Sequence, residues 1–105
     1  MNQMRIIRYQ DRQGNIGYAA QQSDGMALKL VGDIYRLPRL TTENVHVAKL
    51  LAPVQPSSII CIGLNYRKHA EETGAKFPEF PVVFFKGINT LQNPGDAILR
   101  KPLGV

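Results

Sequence analysis

Short apolar runs separated by turn residues open the chain. Arg5-Ile6-Ile7-Arg8-Tyr9, Ile16-Gly17-Tyr18-Ala19-Ala20 and Met26 to Val31 are parted by Asp11 to Asn15 and by Ser23-Asp24-Gly25. Asp-Gly between two such runs is a hairpin signal, so the first third reads as a β-meander. Residues 32–44, punctuated by Gly32, Pro38 and Thr41-Thr42, carry no period and read as a connector. In Val45-His46-Val47-Ala48-Lys49-Leu50-Leu51 the alternation predicts a strand, with a short helix as the alternative.

Pro53 and Pro56 bracket a linker, and the texture then changes. Ser57-Ser58-Ile59-Ile60-Cys61-Ile62 and Val82-Val83-Phe84-Phe85 lack polar alternation, which fits strands buried on both faces. Between them, Tyr66 to Thr73 is rich in helix formers and Gly74 offers a C-terminal stop. Phe77-Pro78-Glu79-Phe80-Pro81 blocks regular structure, and Asn93-Pro94-Gly95-Asp96 is a turn. The chain therefore divides near residue 55. Residues 1–55 form a small β-rich domain, and 56–105 form the beginning of a larger one, because a single short helix cannot cover two doubly apolar strands. This pattern implies either pairing with another chain or a fold cut short. The predicted class is α+β, mainly β.

Length and composition narrow the class further. At 105 residues, 44% hydrophobic and 20% charged, the chain is globular in composition and too short for a two-domain enzyme. The lone Cys61 cannot form an intrachain disulfide, which suits a reducing cytoplasm, and its apolar neighbours suggest a buried small hydrophobe. No secretory signal or membrane-length apolar run is present. The net charge of +5 is spread evenly, with seven bases and four acids up to residue 55 and six and four after it. Neither half is a basic arm, and a nucleic-acid-binding module would need aromatics interleaved with bases. Tyr9, Tyr18, Phe84 and Phe85 instead sit in apolar runs that a core would claim.

The chemistry-bearing stretch is Gly63-Leu64-Asn65-Tyr66-Arg67-Lys68-His69-Ala70-Glu71-Glu72. On a helix His69 and Glu72, three apart, share a face, whereas Glu71 points elsewhere. A carboxylate beside an imidazole fixes its tautomer and stabilises its charged form, as a proton-accepting histidine requires. A His and a Glu at this spacing are more often a solvated surface pair, and only the surrounding sequence favours catalysis.

That surrounding sequence, Ile59 to Glu72 followed by Pro81-Val82-Val83-Phe84-Phe85-Lys86 and by Asn93-Pro94-Gly95-Asp96, resembles the fumarylacetoacetate hydrolase family. There a Gly-x-Asn-Tyr turn leads into a His-x-x-Glu helix, then a Pro-Val-x-Phe-x-Lys strand, then a Pro-Gly-Asp-like turn. The meander of residues 4–31 and Leu50-Leu51-Ala52-Pro53-Val54 are similar to the small N-terminal domain of many bacterial members.

The resemblance implies the first strands and lid helix of a mixed β-roll, in an enzyme that hydrolyses, decarboxylates or isomerises 2-oxo or 2-hydroxydienoic diacids through an enolate. The small N-terminal module leans the resemblance towards the 2-hydroxyhepta-2,4-diene-1,7-dioate isomerase and decarboxylase group, with chemistry of the kind used in aromatic-compound catabolism. It further implies His69 as general base, Glu72 as its orienter, Lys86 as a substrate-carboxylate ligand, a bound Mg2+ (or Mn2+ or Ca2+) and a homodimer in the full-length family. Lys86 ends an apolar strand, where a buried cation needs an anion, although it could equally reach solvent. Asn65 is expected to take an unusual turn conformation and Tyr66 to pack at the helix start, while Thr90 aligns loosely with a hydroxyl residue of the family.

The family's metal ligands, a Glu-x-Glu pair and a later Asp, have no counterpart among this chain's acids. No metal is therefore expected to bind residues 1–105 alone, and the isolated chain is expected to be inactive. The alternative is an inactive or split-enzyme fragment with a structural role. No nucleic acid or membrane partner is expected.

Overall fold

In the computed structural model, which describes residues 3–100 and 102, Asp11 closes the first hairpin. Its carboxylate accepts hydrogen bonds from the Gln13 and Asn15 backbone N–H groups, each at 2.9 Å. Gly14 supplies the positive φ of 86° that the turn demands. The strands on either side are β1 (Arg5–Gln10) and β2 (Ile16–Gln21). A second tight turn at Ser23-Asp24-Gly25 leads to β3 (Ala27–Val31), with the Asp24 carboxylate accepting from the Met26 N–H at 2.9 Å.

Two further strands complete this sheet, β4 (Arg39–Asn44) and β5 (Lys49–Leu51), in the order β4-β3-β2-β1-β5, antiparallel throughout. The β4 strand lies where the sequence reads as a connector. Its residues Arg-Leu-Thr-Thr-Glu-Asn are polar because it is an exposed edge strand, and its register shifts between Leu28 and Leu30 of β3. The Thr41 hydroxyl bridges the irregularity by donating to the Lys29 carbonyl at 2.7 Å. The predicted strand over 45–51 shrinks to three residues, because Val45 and Val47 turn inward as loop residues that pack on the core.

That core centres on Tyr9, Ala19 and Ala27, with Ile7, Val45 and Val47 against it. Gly17 is the cross-strand partner of Tyr9, and a Cβ there would stand 3.3 Å from the Tyr9 Oη, a tight contact to which the ring would have to yield slightly. On the other face Ala20, Leu30 and Leu51 are buried. Small side chains dominate, so apolar burial is modest.

The chain divides into two units, one running up to Gln55 and resuming at Gln92, the other Pro56–Leu91. Within the expected second domain, residues 92–100 thus group with the first unit, where Asn93 and Asp96 bond to Ala52 and Lys49. The outer limits of the expected domains, residues 1 and 105, lie outside the described residues.

The second unit holds β6 (Ile59–Gly63), α1 (Arg67–Glu72), β7 (Val82–Lys86) and a single 3-10 turn at Ile88–Thr90. Strands β6 and β7 form a separate antiparallel ribbon. Neither strand is buried on both faces, contrary to the expectation from their apolar runs. Ile60, Ile62, Val83 and Phe85 share one face and are all exposed, Phe85 at 70%. On the opposite face Val82 and Phe84 are exposed and Cys61 is half-buried rather than core. The physical reason is the lack of cover, since the one helix of this unit buries only Ala70. The chain is mainly β, with seven strands and one helix among the described residues.

Candidate active site

The turn from β6 into α1 shares a backbone feature with the loop before β4, where Leu37 also has φ of 49°. Leu64, not Asn65, takes the left-handed conformation, with φ of 49°. A non-glycine residue is uncommon in that region. Tyr66 follows as the N-cap residue in an extended conformation, with no side-chain capping bond, and is 75% exposed, so it does not pack at the helix start as expected.

The far end of α1 is well closed. Ala75 N–H donates to the Ala70 carbonyl at 3.0 Å and Gly74 N–H to the Glu71 carbonyl at 3.1 Å, which is a Schellman arrangement. It requires a left-handed residue just past the cap, and Gly74 supplies it with φ of 70°. This is the stop that the sequence predicts.

Between these ends the helical period sorts the side chains. Ala70 points inward and is fully buried, while Arg67, Lys68, His69, Glu71 and Glu72 are exposed. His69 and Glu72, three residues apart, occupy one face of a formed helix. No ion pair joins them: among the described residues the ion pairs are Lys49–Asp96 and Arg36–Asp33. The pair is therefore solvated as it stands, and its two partners are within one helical turn.

Lys86 ends β7 opposite Ile59. Because every residue of β7 is exposed, the expectation that burial forces Lys86 to seek an anion does not hold, and its ammonium is open to solvent. The Thr90 hydroxyl donates to the Gly87 carbonyl at 2.7 Å and is occupied in closing the 3-10 turn. The exposure of Phe84 and Phe85 also removes the ground on which the sequence argued them into a core.

Two features escape the sequence reading. The Arg67 guanidinium carbon lies 5.1 Å from the centroid of the Phe77 ring, a cation–π arrangement. Beside it opens a cleft of about 510 Å³, lined among others by Leu64, Asn65, Arg67, Phe77 and Glu79, with neither His69, Glu72 nor Lys86 in its walls. The sequence signal was the Phe77-Pro78-Glu79-Phe80-Pro81 segment, read only as a break in regular structure.

Among the described residues, no group of three His, Cys, Asp or Glu side chains could hold a metal ion. All eight acids of the chain are among those residues. The Mg2+ implied by resemblance thus finds no fitting donor set among the described residues.

These observations define a mainly β chain with a His–Glu pair displayed on a short helix between two antiparallel strands. The family model described as fumarylacetoacetate (FAA) hydrolase, C-terminal, matches residues 58–103. The likeness to the fumarylacetoacetate hydrolase family is carried by these residues, which make up under half of the chain. It is 44% identical over 62 residues to a fumarylacetoacetate hydrolase domain-containing protein 2 homolog of Dictyostelium discoideum, covering 59% of this chain and 19% of that relative. It is 40% identical over 53 residues to a mitochondrial oxaloacetate tautomerase of Rattus norvegicus, covering 50% of this chain and 17% of the relative. The solved structure of an uncharacterized protein from Mycobacterium abscessus superimposes with a TM-score of 0.61 at 28% identity, over 81% of this chain and 34% of that one. The chain thus spans about a fifth of the two curated relatives. No helix among the described residues is long and apolar enough to cross a membrane.

Proposed function

We propose that this chain carries the proton-transfer dyad of an enzyme that hydrolyses, decarboxylates or isomerises a 2-oxo or 2-hydroxydienoic diacid. The observation behind this reading is the placement of His69 and Glu72 on one exposed face of α1, inside the segment that matches the family. A neutral imidazole nitrogen of His69 takes the proton, from water for hydrolysis or from the carbon beside the 2-oxo group for enolisation. The Glu72 carboxylate, one turn on, holds the ring's orientation and stabilises the imidazolium that forms. Likeness to oxaloacetate tautomerases favours the enolising branch and a small 2-oxo diacid as substrate. Lys86, a solvent-open cation at the end of β7, is the candidate for the substrate's carboxylate.

In this reading the active protein is a homodimer in the cytoplasm, the compartment to which the lone Cys61 points. The divalent ion on which the family's chemistry draws needs donors other than those of this chain. A second reading, an inactive fragment with a structural role, is favoured by that same missing donor set together with the uncovered β6–β7 ribbon. The two separate in one assay. Oxaloacetate enolisation and acylpyruvate cleavage are followed with Mg2+, first with this chain alone, then with the rest of the Mycobacterium abscessus protein added as a second chain. Activity that appears only with both chains, and vanishes with His69→Ala, supports the enzymatic reading. Inactivity of the mixture, despite co-elution of the two chains, supports the structural one.

A further inference from the structure

A six-residue helix does not sustain itself in water, because the cost of its first turn is recovered only over a longer run or by packing. In α1 the packing is slight, since Ala70 is its only buried residue. The C-terminal half is closed by the Schellman bonds into Gly74 and Ala75, but the N-terminal half lacks a side-chain cap at Tyr66 and an acid in the first turn. The hold on that half comes from outside the helix. The guanidinium carbon of Arg67, the first helical residue, lies over the Phe77 ring, 5.1 Å from its centroid. Phe77 opens a stretch whose Pro78 and Pro81 stiffen the path into β7.

We propose that Arg67 is a positioning residue for His69: placed over Phe77, it latches the first turn of α1 to the segment entering β7, and so sets the fraction of time His69 is presented on a formed helix. The positioning role rests on the reading of His69 as the base, whereas the latch itself does not. Arg suits the role because its planar guanidinium lies flat on a ring while the charged edge stays wet. The cleft that Arg67 and Phe77 line is then bounded by the latch, so its width follows the latch's state.

The test is hydrogen exchange on the whole chain, read at the amides of Ala70, Thr73 and Gly74, which donate to the carbonyls of Tyr66, His69 and Glu71. Arg67→Met keeps an apolar stem without the charge, and Phe77→Leu keeps an apolar side chain without the ring. Each is expected to lower protection roughly two- to five-fold, the range for an exposed cation–π pair, with the double variant losing no more than either. Arg67→Lys and Phe77→Trp should recover at least half of the loss. Unchanged protection, additive losses, failed recovery, or no protection in the unsubstituted chain overturns the latch.

In the two-chain assay the same variants should lower kcat in step with protection and leave KM unchanged. Lost protection with an unchanged kcat overturns the positioning role. If protection follows the expected pattern while His69→Ala remains active, the latch stands and the dyad reading fails.

Discussion

The Asn93 side-chain oxygen accepts a hydrogen bond at 2.8 Å from the backbone N–H of Ala52, 41 residues earlier. Lys49 reaches Asp96 at 3.1 Å on the same stretch. The turn that presents them is of the Pro-Gly kind, with Asp96 N–H donating to the Asn93 carbonyl at 3.1 Å and Gly95 at φ of 78°. The departure point of the segment that carries His69 and Glu72, just after Ala52, and its return at Asn93 are thereby clasped together. A clasp of this kind lowers the closure entropy for everything in between.

Removing the clasp has a cost that can be stated. Asn93→Ala leaves the N–H of the buried Ala52 unpaired, and an unsatisfied buried donor costs about 1–3 kcal/mol. Asp96→Asn removes only a half-exposed ion pair and should cost under about 1 kcal/mol. Urea unfolding of both variants checks the order, and a larger loss for Asp96→Asn would reverse the assignment.

What was legible in the sequence follows from where signals are local. The meander, the Gly74 stop and the β6–α1–β7 order rest on turn chemistry and short-range pattern, and those elements formed as read. Strand β4 was illegible because a polar edge strand has no apolar face to show, and its pairing depends on Thr41 meeting Lys29 across 12 residues. The burial of β6 and β7 was misread because an apolar run reports what a strand could bury, not whether cover exists. The His69–Glu72 relation was readable from helical spacing, but the Arg67–Phe77 pair depends on the fold-back of residues 73–77 and has no period to announce it.

The first hairpin should show a pH signature. Burial pushes the Asp11 carboxyl up, but the hydrogen bonds from Asn15, Gln13 and Gly14 together outweigh it and leave its pKa below the ordinary value. A carboxyl depressed by folding contributes stability that is present above its unfolded value, near 4, and lost as pH falls through the folded one. The urea midpoint should therefore drop more steeply below about pH 4 in the native chain than in Asp11→Asn. Equal slopes would remove Asp11 as the cause.

Metal binding is expected to be weak. With no oxygen cluster among eight scattered acids, calorimetric titration of the chain alone with Mg2+ or Mn2+ should give no saturable site. A stoichiometric, micromolar site would show that a donor set forms on association.

The uncovered ribbon should make the isolated chain associate. Ile60, Ile62, Val83 and Phe85 form a contiguous exposed apolar face on a ribbon with free edges. Size-exclusion chromatography is expected to show oligomers or aggregates, and Ile60→Lys with Phe85→Lys to shift them towards monomer. A sharp monomer without those changes would mean the face is tolerated in water.

The central claim, that His69 and Glu72 work as one proton-transfer unit, is tested most directly by kcat of the two-chain enzyme in four variants. His69→Ala should lower kcat at least ~10²-fold, as loss of a positioned general base does. Glu72→Gln should fall nearly as far, the double variant little further than either, and Glu71→Gln, on another face of α1, should stay near the unsubstituted rate. A damaging Glu71→Gln beside a harmless Glu72→Gln, or strictly additive losses, would contradict the dyad.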